Sequence, residues 1–590
     1  MRTSKRRFCL YLIKPSHYDD DGYVIQWFRS PIPSNSLAAV YGLALDCADR
    51  KALGPSWEFD IHVVDETNAF VDTVEITGEI TKADAGMVML VGVQSNQFPR
   101  ALDIARPLIE SNIQVAIGGF HASGVIAMLQ GRDKGLETAK SMGISIFAGE
   151  AEGRLDDVLR DARDGALKPL YNHMADLPSI AETPVPFIPA AHVERTAYNL
   201  SSFDAGRGCP YQCSFCTIIN VQGRVSRRRS PDDIEKIIRT NLTQGVHRFF
   251  ITDDNFARNR DWEAILDRLI DMRENEGLNF NFIIQVDTLC HRIKNFIEKC
   301  ARANVTRVFI GLENINPANL IEAKKRQNKI TEYRQMLLAW KRHHIITYAG
   351  YIIGFGADSY DSVMHDIDVI KKELPVDILE FFYLTPLPGS EDHQRLFNNG
   401  VAMDADLNRY DLNHVTTAHA TMTRTEWERA YRDAWARYYT PEHAEAVLRR
   451  AAVSRISTST LLLLMVWFMG ALKIEGVHPL ECGLLRKKHR RSRRYGLPLE
   501  PALLFYPKYY VSSLTKVVRW LSLYLKYGLI MRRVDRDPEK RSYSDLALSP
   551  VDENEENREL FRSDSAQAFV EHQKKLSNIK KNTKNEILDA

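Results

Sequence analysis

The chain has 590 residues, enough for about three or four domains that each bury a core without disulfides. Hydrophobic residues make up 44% and charged residues 26%, which excludes disordered and collagen-like chains. With 78 Lys and Arg against 76 Asp and Glu, the net charge is only +2; no nucleic-acid partner is expected, and any basic site must be local.

Residues 1–12 open with four basic residues but run into a strand-like stretch without a small-residue cleavage site, so a secretory leader is not expected. Residues 8–13 form an apolar run, 36–49 have helical spacing, and 59–64 are β-rich. An apolar run at 86–93, an amphipathic helix at 100–110 and a strand at 115–119 follow. This alternation predicts an α/β fold over 1–165, a Rossmann-like parallel sheet with helices on both faces. Residues 166–195 are proline-rich and read as a linker. Over 196–423, strands at 248–252, 281–286, 307–311, 347–353 and 378–384 alternate with helices at 231–244, 262–275, 293–303 and 330–343. That series predicts a partial β/α barrel. Residues 424–534 read as a helical region that contacts substrate or membrane, and 535–590 as a polar, mobile tail.

Three of the eight cysteines fall within 209–216, while the other five are scattered. That is the distribution of a metal site in a reducing, cytoplasmic setting. The segment 206–216, Gly-Arg-Gly-Cys-Pro-Tyr-Gln-Cys-Ser-Phe-Cys, spaces Cys209, Cys213 and Cys216 as C-x3-C-x2-C. A loop of this kind can hold one face of a [4Fe-4S] cube and leave one iron open. A zinc knuckle would want a fourth Cys or His, and none lies within the next thirty residues.

With Phe215 as the aromatic, C-x3-C-x-aromatic-C resembles the signature of the radical S-adenosylmethionine (SAM) superfamily. The resemblance implies that the open iron chelates SAM and that one electron then releases a 5′-deoxyadenosyl radical. It also implies an electron donor such as a flavodoxin or ferredoxin. Asp253, Asp254 and Asn255, at the end of the next strand, resemble the family's contact to the SAM amino group, and Glu313 the strand end that faces the ribose. Gly354, and Pro386, Pro388 and Gly389, lie in segments that resemble the two which cup the adenine. All sit at predicted C-terminal strand ends, where barrel sites assemble. Arg224, Arg227, Arg228 and Arg229 read either as a solvated turn or as a site for the SAM carboxylate or an anionic substrate.

A βαβ domain before such a barrel, with Gly118, Gly119 and Ser123 after its third strand and Ala-Gly-Glu-Ala-Glu at 148–152, resembles the cobalamin-binding domain of the B12-dependent subgroup. That makes those three residues candidate cobalamin contacts. The D-x-H-x-x-G cobalt-ligand motif is missing. Residues 14–22 read Lys-Pro-Ser-His-Tyr-Asp-Asp-Asp-Gly, and the Asp-Ile-His triplet at 60–62 lies inside a strand without the glycine. His17 and His121 are assigned to no metal. Only Cys9 and Cys47 precede the barrel and only Cys482 follows it, so a single cluster is expected, with Cys290 and Cys300 as buried thiols.

Residues 456–474 contain Leu-Leu-Leu-Leu-Met-Val-Trp-Phe-Met and, at about nineteen residues, are borderline for spanning a bilayer; a buried helix is expected. The basic run at 486–494 and the mixture of Trp520, Leu521, Tyr524 and Leu525 with Lys516, Arg519, Lys526, Arg532 and Arg533 suit peripheral contact with an anionic membrane. A solvated charged face or a local nucleic-acid contact is the other reading. The resemblance as a whole implies a cobalamin-dependent methyltransferase acting on an unactivated carbon of a small-molecule or lipid substrate. A radical cyclase, oxidase or rearrangement enzyme of the same architecture is the alternative, and a non-catalytic cobalamin or iron–sulfur sensor a third reading.

Overall fold

Continuous apolar runs become strands buried on both faces. The computed structural model describes residues 5–130, 132–552 and 555–575. Its N-terminal sheet contains β1 (Arg6–Lys14), β3 (Trp57–Asp65), β4 (Ala85–Leu90), β5 (Gln114–Gly118), β6 (Ser145–Ala148) and β7 (Leu170–Asn172), while a short β2 (Gln26–Arg29) lies outside it. The sheet order is β3-β1-β4-β5-β6-β7, and every ladder is parallel. Phe8 to Ile13 sit centrally; Cys9, Tyr11 and Ile13 join one core layer and Phe8, Leu10 and Leu12 the other. Helices therefore cover both faces, as a parallel sheet requires. β7 falls in the stretch expected to be a linker: at three residues it is too short to show a period, yet Tyr171 pairs with Phe147.

The second layer begins with β8 (Leu200–Phe203), followed by a two-residue ribbon of β9 (Gly206–Arg207) and β10 (Arg227–Arg228). Then come β11 (Arg248–Ile251), β12 (Asn281–Val286), β13 (Val305–Glu313), β14 (Ile346–Ile353) and β15 (Ile378–Tyr383). The parallel order is β15-β14-β13-β12-β11-β8. No β8–β15 ladder occurs among the described residues, so this is an open, partial barrel. All eight positions of β14 are buried, because barrel interior and surrounding helices cover it on both sides.

The C-terminal helices Arg424–Tyr438, Pro441–Val453 and Thr458–Gly470 wrap the barrel. Residues Thr458–Glu475 are long and apolar enough to cross a membrane by length and composition. Here they form a core helix: Leu461, Leu464, Met465 and Phe468 are buried, and the Phe468 ring lies 5.7 Å from that of Tyr348. β16 (Leu484–Lys487) returns to pair antiparallel with β2. That return neutralises much of the basic run expected at the surface. Arg486 and Lys488 pair with Asp19 at 3.0 and 2.7 Å, and Arg494 with Asp406 at 2.6 Å.

Within the stretch expected to be a mobile tail, residues 546–552 and 555–566 pack on the barrel. Buried Arg334 requires acceptors, and it donates to the carbonyls of Leu546, Ala547 and Ser549 and pairs with Glu555. Leu560, Phe561 and Ala566 are buried behind them. Residues 576–590 lie outside the described residues.

Glu380 of β15 is buried, and its Oε1 has no hydrogen-bond partner; the His478 ring nitrogen lies 3.7 Å away. Burial pushes its carboxyl up to about 8. A carboxyl whose pKa is raised in the fold costs stability as pH rises from its unfolded value of about 4.3 through the folded one. Glu380→Gln is therefore expected to unfold at higher denaturant than the parent at pH 8 to 9, by a margin that narrows as pH falls towards 5, read by fluorescence-monitored urea titration. A difference that does not change with pH would refute the assignment.

Candidate functional site

The cysteine loop is braced from beneath. Gly208 has φ +92°, and a Cβ there would lie 2.8–3.0 Å from the carbonyls of Val225, Gly223 and Gln222; only glycine allows this approach. The Cys209 N–H donates to Gly223 O at 3.2 Å and the Cys216 N–H to Cys213 O at 3.2 Å. Ser214 is held from both sides, its N–H donating to Ala323 O and its hydroxyl to Asp392 at 3.1 Å. At the loop tip, the Tyr211 hydroxyl donates to Asp287 at 3.3 Å, and Arg258 grips the same carboxylate through two bonds of 2.6 and 2.9 Å.

Burial pushes the Cys209 thiol up to about 11 and, with Cys213 and Asp254 adding, Cys216 up to about 12. Lys325 supplies the compensating charge. Burial opposes its ammonium, but Glu313 and the thiols of Cys213 and Cys216 outweigh that and raise its pKa. It bonds Glu313 and lies 5.6 Å from the centre of the Phe215 ring, while the Gln327 amide reaches Cys213 Sγ at 3.5 Å.

Among the other expected contacts the structure divides the labour. Phe215 packs 6.2 Å from Phe355. Asp253 is turned beneath the loop: its carboxylate accepts from the Ala205 and Gly206 N–H groups at 2.7 Å each and from Asn259 at 3.1 Å. Asn255 bonds Asp287 at 2.9 Å. Asp254 alone of the three lines a cavity between the two layers, and burial, then Asp253, pushes its carboxyl up to about 7. Gly354, at φ +120°, is explained by packing, since a Cβ there would lie 2.0 Å from the Trp427 ring. Pro386 and Pro388 are buried. Gly389, at φ +104°, faces the N-terminal domain, and a Cβ there would lie 2.7 Å from the Gly124 Cα.

That contact begins an interface that the sequence did not announce. Helix Phe120–Leu129 packs on helix Ile218–Val221, which directly follows Cys216. Behind it, Arg207 is buried and donates to Glu150 at 2.8 Å, Glu152 at 2.7 Å and Asp204 at 2.7 Å. Arg227 joins through Glu150 at 2.7 Å, Arg229 bonds the Asp204 carbonyl at 2.9 Å, and Arg228 pairs with Asp261 at 2.6 Å. Arg227 and Arg229 are thus held by protein carboxylates and carbonyls, whereas Arg228 is a half-exposed surface pair and Arg224 is exposed. Burial works against the Arg207 charge, yet Asp204, Glu152 and Glu150 outweigh it and hold the pKa well above its usual range.

Between the two layers lies a cavity of about 330 Å³. One wall is the strand-end rim of the N-terminal sheet, with Gly92, Gly118, Gly119 and Ser123; the other includes Arg207, Ile218 and Asp254 of the barrel layer. Apolar Leu43, Met89 and Val158 line its depth. This is the edge where open parallel sheets take ligands, and its glycine backbone and apolar lining fit a large flat ring system. No histidine lines it. His17 pairs with Glu481 at 3.2 Å, and His121 sits 3.2 Å from Ser95 Oγ, its pKa depressed to about 4 by burial. Asp60 and His62 lie on edge strand β3 and pair with each other at 3.0 Å, outside the cavity.

The family model described as the radical SAM superfamily matches residues 205–370. Bacteriochlorophyllide d C-12(1)-methyltransferase of Chlorobaculum tepidum is 27% identical over 282 residues, spanning 46% of this chain and 59% of that protein. The hopanoid C-2 methylase of Rhodopseudomonas palustris is 23% identical over 398 residues, 67% of this chain and 70% of that one. The chain thus spans less than two thirds of the first of these relatives. The radical SAM methyltransferase TsrM of Kitasatospora setae, solved with cobalamin and a [4Fe-4S] cluster, shares the fold at a TM-score of 0.54 and 13% identity, covering 73% of this chain and 89% of that one.

Proposed function

Because the chain belongs to the B12-binding-domain-containing radical SAM family, we propose that it is a cobalamin-dependent radical SAM enzyme that methylates an unactivated carbon of a small-molecule substrate. The observation that carries this is the shared cavity, since its two walls are the strand-end rim of the N-terminal sheet and the barrel segment next to the cysteine loop. Cys209, Cys213 and Cys216 would hold the [4Fe-4S] cluster. Phe215, Asp254, Glu313 and the 386–389 turn would border SAM, with Asp253, Asn255 and Gly354 fixing the rim from behind. Gly118, Gly119 and Ser123 would border cobalamin, with no histidine at the cobalt. When bound, the cluster supplies the electron that cleaves SAM and cobalamin supplies the methyl group.

The chain's own residues set the conditions for that chemistry. Lys325 offsets the negative charge of thiolates in a buried setting, where an uncompensated charge would be costly. Arg207, held by Glu150 and Glu152 of the N-terminal domain, ties the barrel layer to that domain at the cavity wall. An external one-electron donor such as a flavodoxin or ferredoxin is part of the proposal. Cys9, Cys47, Cys290, Cys300 and Cys482 are all buried.

Protein reconstituted anaerobically with iron, sulfide and hydroxocobalamin is expected to retain a corrinoid spectrum after gel filtration, at about one per chain, together with about four irons. Full iron with no corrinoid retained would instead favour radical chemistry without methyl transfer.

A further inference from the structure

Helix Ala502–Arg536, 35 residues long, is apolar on two opposite faces. Phe505, Tyr527, Ile530 and Val534 are buried against the protein. On the same side Trp520 donates to Glu475 and Tyr527 to the Tyr439 carbonyl, both at 3.0 Å. The opposite face carries Leu503, Tyr510, Leu514, Leu521, Leu525 and Leu529, each at least 57% exposed. Their spacing keeps them on one stripe, which runs about 39 Å at 1.5 Å per residue. A contiguous exposed apolar stripe marks an interaction or membrane surface, and protein covers only the opposite face of this helix.

Its charges are ordered too. Lys508, Arg519, Lys526 and Arg533 recur along one flank of the stripe, and Tyr506 and Tyr524 along the other. Residues 502–536 hold seven Lys and Arg but one acid, Asp535. The carboxylates beside the flank are few: Lys508 lies 3.9 Å from Glu500 and Arg533 3.3 Å from Glu445, and exposed pairs of this kind hold weakly.

We propose that this face docks on an anionic lipid surface, with the helix in the interface plane, the leucine stripe among the acyl chains and the basic flank at the phosphates. Charge selects this occupant. A second copy would set another Lys508, Arg519, Lys526 and Arg533 against the same flank, whereas anionic headgroups neutralise them. Tyrosines at the remaining flank suit the headgroup level, where an apolar ring and a polar tip are both satisfied. The basic run at 486–494 takes little part, because Asp19 and Asp406 already hold its Arg486, Lys488 and Arg494. The surface does not line the cluster cavity, and its test is independent of SAM chemistry.

The test is flotation of the full-length protein with phosphatidylcholine vesicles containing, or lacking, about a third phosphatidylglycerol. The protein is expected to float with the anionic vesicles at about 0.1 M salt and to release as salt rises to about 0.5 M. L514D/L521D/L525D should abolish flotation, and R519E/K526E should weaken it at least about tenfold, with iron content and circular dichroism unchanged in both. Absence of flotation by the parent protein would overturn the proposal, as would flotation that survives the triple substitution. A dimer in solution that the triple substitution dissociates, without vesicle binding, would assign the face to a second copy instead.

Discussion

Cys213→Ala is expected to lower iron from about four per chain to below about one and to reduce reductant-dependent formation of 5′-deoxyadenosine to background. The loop leaves no replacement ligand: Cys213 is buried beside Gln327 and Lys325, and the thiols outside the loop are separately buried. A two-thiolate site also strands the Lys325 charge that the third thiolate helps to balance. The fold should persist, since Gly208, Ser214 and Tyr211 anchor the loop through contacts that do not involve the Cys213 sulfur. Cys300→Ala serves as the control; that thiol lies in the core behind β13, and the variant should keep its iron. Full iron and undiminished SAM cleavage in Cys213→Ala would remove the loop from the chemistry.

Arg207→Met is expected to destabilise the protein by about 3–5 kcal/mol, because it leaves Glu152 buried without a cationic partner and Glu150 with Arg227 alone. The loss should appear in the first unfolding transition, as separation of the N-terminal sheet from the barrel, accompanied by loss of retained cobalamin. A structural ion pair elsewhere would not produce the second effect. Arg224→Met, at an exposed position of the neighbouring turn, should change neither. If Arg207→Met unfolds with the parent and keeps cobalamin, the clamp does not hold the two layers together.

What was legible in the sequence followed from local periodicity. β14 is an apolar run buried at every position and β12 alternates half-buried with buried ones, and the ends of both were readable to within a residue or so. The cysteine loop was legible because its spacing is itself local. The interface was not. Glu150 and Arg207 are 57 residues apart in the chain, and nothing in either segment marks the other as its partner. The arginine run after the loop read as a ligand site or a solvated turn for the same reason, since its carboxylates lie on distant segments. Asp253 and Asp254 are chemically equivalent in sequence, and only the turn of the backbone sends one beneath the loop and the other to the cavity. β7 and the ordered part of the tail escaped notice because three residues, or a few apolar anchors among polar ones, carry no period.

The most direct measurement is product analysis of the reconstituted protein, loaded with cluster and cobalamin and incubated anaerobically with SAM and a one-electron reductant. The account predicts that S-adenosylhomocysteine and 5′-deoxyadenosine both form, the first from methyl transfer and the second from radical generation. Formation of 5′-deoxyadenosine with persistent absence of S-adenosylhomocysteine, in protein shown to hold cobalamin, would contradict it.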